Sequence, residues 1–166
     1  MLSLCCIARR RDTGHSHLRR FAKRHGNGNI IKINAVGTVN MVEAFYPVLA
    51  DGGVMINFSS VAAYTMSKKF VIYFTQKNVA RFVEKHCRIL SISPGCYLTP
   101  MHQKLIDNQP ETAENQLELI PAGRWRYPYE MGALTAFLCS FGAGYINGVD
   151  ILADGGQNAG IFVPQI

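Results

Sequence analysis

The sequence predicts an α/β protein in which a small set of parallel strands is covered by helices. Three observations carry this. Short apolar runs of strand length occur at 54–58, 88–93 and 148–153. Helical periodicity fills 35–49, 63–86 and 129–141 around them. Each run stops at a small or turn-forming cluster: Ser59-Ser60, Pro94-Gly95 and Asp154-Gly155-Gly156. Helix-length crossovers leave parallel pairing as the natural arrangement. In such sheets ligands bind beyond the carboxyl ends of the strands, where all three clusters fall.

The elements follow in chain order. Val36, Val39, Met41, Val42, Phe45 and Val48 lie close to helical spacing within 35–49, and Asp51-Gly52-Gly53 ends that segment in a turn. Val54-Met55-Ile56-Asn57-Phe58 reads as a buried strand. A long helix is predicted over 63–86, with Phe70, Phe74, Val79, Phe82 and Val83 on its apolar side. RILSIS (88–93) is the second strand, halted by Pro94-Gly95. Residues 96–127, rich in Pro, Asn, Gln and Tyr, are expected to be irregular or short-helical. A third helix spans 129–141 with Pro128 near its start, where a missing N–H costs least. The run from Gly148 to Ala153 is the third strand.

The chain has 166 residues, enough for one domain with a buried core. Its net charge of +6 is unevenly placed. Residues 1–28 hold seven Lys/Arg against the single acid Asp12, whereas residues 29–166 hold ten of each sign. The folded body is therefore neutral, and 1–28 reads as a poorly ordered basic arm. Its apolar start precedes its arginines, the reverse of a secretory signal. Arginines could meet phosphates, but no reading module or aromatic interleaving accompanies them, so nucleic acid is not an expected partner. Cys5, Cys6, His15 and His17 lack any metal-site spacing, and no metal is expected. Five cysteines without a framework suggest reduced thiols and a cytoplasmic protein. No apolar run reaches the length of a membrane span.

The chemistry-bearing segment is Tyr64-Thr65-Met66-Ser67-Lys68, just after Ser59-Ser60. Tyr64 and Lys68 stand i, i+4 and share one helix face. An ammonium beside a phenol favours phenolate and turns the phenol into a proton donor–acceptor. A nearby serine hydroxyl can hold a carbonyl or carbinol oxygen while the proton moves. The same spacing also suits a solvated helix face.

From about Ile30 onward, the landmarks IKINAVGT, INFSS, YTMSK, SPGCYLTPM, PAGRWRYPYEMGALTAFLCS and YINGVDILADGG stand in one order. In that order they resemble the later half of a short-chain dehydrogenase/reductase. The tail GGQNAGIFVPQI is reminiscent of bacterial 3α-hydroxysteroid dehydrogenase/carbonyl reductase relatives. The resemblance implies a truncated Rossmann-like three-layer fold with a mostly parallel sheet and the N-terminal cofactor half missing. It implies NAD or NADP as cofactor and a small-molecule alcohol/carbonyl substrate. Tyr64 would be the acid/base, and Lys68 would lower its pKa and hold the nicotinamide ribose. Ser60 would fix the substrate oxygen, and Asn34 would help hold a proton-relaying water. Thr99 would bond the carboxamide, with Pro94 and Gly95 against the ring. It also implies a homo-oligomer through the helices at 35–49 and 63–86. Other roles stay open: Asn34 and Ser60 as helix caps, and Thr99 as a turn residue before Pro100.

Two departures from the family pattern bear on activity. No Thr-Gly-x-x-x-Gly-x-Gly turn occurs; Thr13-Gly14 is followed by no glycine until Gly26. Such a turn cradles the cofactor pyrophosphate at a helix N-terminus. Only Val61, Ala62 and Ala63 separate Ser60 from Tyr64. Four residues span at most about 13–14 Å, so contact is allowed while one wall of a substrate pocket is shortened. The sequence thus admits three outcomes: a working NAD(P)-dependent oxidoreductase, a catalytically silent truncated relative, or an oligomerisation module pairing with a full-length relative.

Overall fold

The computed structural model describes residues 30–61 and 66–162. The basic arm predicted over 1–28 and the residues 62–65, Tyr64 included, lie outside the described residues.

The chain enters through a π-helical turn, Lys32–Val36, that continues into α1 (Gly37–Phe45) and a 3₁₀ turn, Tyr46–Val48. Then come β1 (Val54–Phe58), α2 (Met66–Lys77), α3 (Val79–Val83) and β2 (Arg88–Pro94). A helical pair, α4 (Pro100–Asn108) and α5 (Pro110–Glu118), precedes α6 (Pro128–Cys139), β3 (Asp150–Ala153) and α7 (Gln157–Phe162). The three strands form one parallel sheet, as predicted, and the structure gives their order as β1-β2-β3.

The pleat sends alternate residues to two helical layers. Val54, Ile56, Leu90 and Ile92 pack with Leu138 of α6 and with Ala143 and Ala153. Met55 and Ile89 pack on the other side with Val42 of α1, Phe82 of α3, Leu49 and Cys87. Two separate apolar clusters therefore grip one sheet, which gives the three-layer architecture. Arg88 closes the lower end by donating to Leu138 O (2.8 Å), a carbonyl that the end of α6 leaves open, and to Ile146 O (3.0 Å) in the segment before β3.

Several predicted boundaries shift. The helix expected over 63–86 is broken at Asn78 and ends at Val83. Asn78 has φ −92° and ψ 0°, and its side-chain amide donates to Phe74 O at 2.8 Å. This local bond competes with helix propagation. His86 then adopts φ +53° in the turn that leads into β2. Val83, expected on the apolar side, is exposed as a result. The third strand begins at Asp150 rather than at Gly148, because Gly148 turns the chain at φ +70° with its Cα against Val79. The helix predicted over 129–141 ends at Cys139, where Ser140 is extended.

Candidate active site at the carboxyl edge of the sheet

The end of β1 is carried past the strand by two further bonds to β2: Ser59 N–H to Ile92 O (2.8 Å) and Val61 N–H to Pro94 O (3.2 Å). Ser59 and Ser60 are thereby fixed beside the end of β2. They differ in kind. Ser59 is fully buried and donates to Lys68 O at 2.9 Å, binding the strand end to the first turn of α2. Ser60 is half-buried and stands one residue nearer the edge.

Lys68 is the unusual residue of the site. It is only 7% exposed, and its Nζ donates to Phe58 O at 3.0 Å. Burial holds its pKa below the ordinary lysine value, because the ammonium has lost water. An ammonium carries three donors, and Phe58 O takes one. Lysine is rarely this buried without a carboxylate partner, and its closest described polar contact is a neutral carbonyl.

Asn34 lies inside the π-helical turn rather than at a helix cap, which removes the capping alternative for it. Its Nδ2 donates to Ser67 Oγ at 3.3 Å, and its main-chain carbonyl accepts from Thr38 Oγ1 at 2.6 Å. The turn is thus fastened to α2 at the residue preceding Lys68. Single π-turns inside helices are frequent at functional sites.

Gly95 prolongs β2 and donates to Ala153 O at 3.1 Å. A Cβ there would lie 2.7 Å from Asp154 Cα, so only glycine allows the ends of β2 and β3 to touch. Thr99 caps α4: its Oγ1 accepts from His102 N–H at 3.3 Å, with Pro100 in the first helical position. The capping bond leaves its O–H free to donate elsewhere.

The structure therefore brings Asn34, Ser60 and Lys68 together around the start of α2, with Pro94 and Gly95 on the adjoining strand end. Thr99 follows five residues along the chain. Tyr64, the expected acid/base, falls outside the described residues.

Several site residues had no role in the sequence reading. Asn57 Nδ2 donates to Thr75 Oγ1 (2.9 Å), a second link between β1 and α2. Ser91 and Ser93 donate to the two oxygens of Asp150 at 2.5 and 2.7 Å. Their signal was present: in RILSIS the serines alternate with apolar residues, which marks one polar face of a strand. Asp154 accepts from Gly156 N–H (3.0 Å) and Asn158 N–H (2.9 Å), ordering the turn after β3. Among the described residues no cluster of metal ligands occurs, and no helix is long and apolar enough to cross a membrane.

The chain as a whole matches known proteins. The family described as enoyl-(acyl carrier protein) reductase matches residues 6–158. The chain belongs to the short-chain dehydrogenase/reductase family. It is 34% identical over 137 residues to the D-threitol dehydrogenase of Mycolicibacterium smegmatis, covering 76% of this chain and 52% of that protein. It is 31% identical over 138 residues to the 3-oxoacyl-[acyl-carrier-protein] reductase of Thermotoga maritima, covering 76% and 55%. Among solved structures, the angucycline C-6 ketoreductase with bound NADP aligns with TM-score 0.69 and 27% identity, covering 78% and 52%. The chain spans about half the length of the curated relatives it matches.

Proposed function

We propose that this chain carries the proton-handling part of an NAD(P)-dependent oxidoreductase that interconverts an alcohol and a carbonyl compound. The observation that carries the reading is the buried ammonium of Lys68, held between Phe58 O and the carboxyl edge of the sheet. The donor set fits a nicotinamide nucleotide. Lys68 keeps two donors for ribose hydroxyls, and Thr99 keeps its O–H for a carboxamide oxygen. Relatives point the same way, since the similar ketoreductase holds NADP.

The nicotinamide, when bound, supplies or accepts the hydride. In this reading Tyr64 gives or takes the proton at the substrate oxygen through its phenolic O. Lys68, which has no carboxylate partner among the described residues, favours the phenolate and so brings that transfer nearer neutral pH. Ser60 Oγ fixes the substrate oxygen. Asn34, through Ser67, and Ser59, through Lys68 O, hold this part of α2 in place and so fix where the ammonium stands.

Titration with NADH and with NADPH, read by cofactor fluorescence and by calorimetry, tests the reading. Saturable binding, weakened about tenfold in Lys68→Met, is expected. Absence of binding at millimolar cofactor would overturn it and leave the catalytically silent relative in its place.

A second reading, subunit pairing through the helices at 35–49 and 63–86, is favoured by exposed apolar side chains there. Val36 is 51% exposed and Tyr73 59%. Light scattering should then give a dimer or larger species that Tyr73→Glu dissociates. A monomeric native chain would end this reading.

A further inference from the structure

Adjoining that site, a cavity of about 210 Å³ opens between the turn after β3 and the segment 120–126. Cys96, Ile120, Arg124, Arg126 and Asp154 line it. At about 30 Å³ per water it has room for a molecule of roughly six or seven heavy atoms.

The hydrogen-bonding capacity of its wall is unbalanced. Arg126 is anchored through its backbone, with Leu98 N–H donating to Arg126 O at 2.7 Å. Its guanidinium lies 6.0 Å over the Tyr97 ring, and its Nε is buried with no hydrogen-bond partner. The nearest carboxylate oxygen, Glu130 Oε1, is 3.9 Å from Nε, too far for a hydrogen bond. That carboxylate is already engaged. It accepts from both Arg124 nitrogens (3.0 and 2.8 Å) and from Tyr127 N–H (2.8 Å), and these hold its pKa down to about 2. Both oxygens of Asp154 accept backbone N–H groups. The wall therefore has its acceptors in use and one buried guanidinium donor, Arg126 Nε, left over.

We propose that this cavity binds the carboxylate end of a small organic acid, with Arg126 as the residue that reads it. A guanidinium fork matches a carboxylate in two parallel bonds. Ile120, Ala122 and Ala153 offer an apolar wall for a short alkyl chain. Asp154, on the same wall, opposes a doubly charged phosphate. A neutral carbonyl would engage only one arm of the fork. Carboxylate binding here requires neither Tyr64 nor a nicotinamide, so its failure would leave the proposed proton transfer untouched.

Trp125, the only tryptophan in the chain, lies between the two arginines in sequence with its ring against His102, and its fluorescence is the readout. Butyrate added to the full chain should change its fluorescence saturably, while butyramide binds at least about tenfold more weakly. Arg126→Gln should lose about tenfold in butyrate affinity and Arg126→Lys less, with far-UV circular dichroism unchanged in the latter. In the native chain, amide NMR shifts should concentrate at Cys96, Arg126 and Asp154. Equal binding of butyrate and butyramide, shifts centred elsewhere, or no saturation by about 100 mM would each overturn the proposal.

Discussion

The two faces of the sheet are built from the same strands by the same alternation, yet they differ in chemistry along their length. Towards α6 the residues are apolar almost to the strand ends: Val54, Ile56, Leu90, Ile92, then Ala153. Towards α1–α3 the face changes character along the strands. Met55 opposite Ile89 is apolar, Asn57 stands opposite Ser91, and Ser59 and Ser93 follow. Each of these polar groups has a partner: Thr75, Asp150 or Lys68 O. The first face holds the fold by burial alone. The second carries directional bonds at its carboxyl end, two of which, from Asn57 and Ser59, reach α2 and fix where Lys68 stands. Position is bought there at little gain in stability.

If that contrast holds, truncation on the apolar face has the largest effect. Leu138 is fully buried against Ile92 and its neighbours. Leu138→Ala should cost about 2–5 kcal/mol through lost transfer energy and a residual cavity. Urea unfolding followed by circular dichroism checks it. A loss below about 1 kcal/mol would mean that the face towards α6 is not the main source of stability.

The fold was largely legible because it rests on periodicity and punctuation. Apolar runs of five or six residues with turn signals at their ends identified all three strands, and burial on both faces follows from their near-continuous apolarity. The break at Asn78 was not legible, because a side-chain amide bonded to Phe74 O leaves no mark on the apolar pattern. The site divides in the same way. Ser60, Lys68 and Gly95 were singled out because chemistry-bearing residues and strand ends fall close together in the sequence. The family profile and the relatives support the family reading while leaving individual roles to experiment. Ser59 and Asn57 were given no bonding role because their partners lie 9 and 18 residues away, which sequence spacing does not reveal.

The polar face gives the intermediate effect and the sharper test. Thr75→Val leaves buried Asn57 Nδ2 without its acceptor and should cost about 1–3 kcal/mol. The double change Asn57→Leu with Thr75→Val should recover most of that loss, because both polar groups are removed together. A double variant as unstable as the sum of the two singles would show that the bond acts independently of its partner, against the positioning role. Recovery of stability with a weakened response to cofactor would separate the two functions of this face.

The smallest effect is a dependence on pH rather than a loss. Lys68 has a folded pKa below the usual 10.5 because burial disfavours its ammonium. Between the lowered folded value and the unfolded value, the unfolded chain therefore binds more protons than the folded one. Stability must rise with pH across that window. Below it, both states are charged and the full burial cost is present; above it, both are neutral and the cost is gone. Lys68→Met keeps the volume and removes the charge, so its stability should lack this rise. Chemical denaturation of both proteins from pH 8 to 10.5 measures the difference. Parallel curves for the two would mean that Lys68 sits in water after all. The polar face would then hold a strand end without holding a buried ammonium.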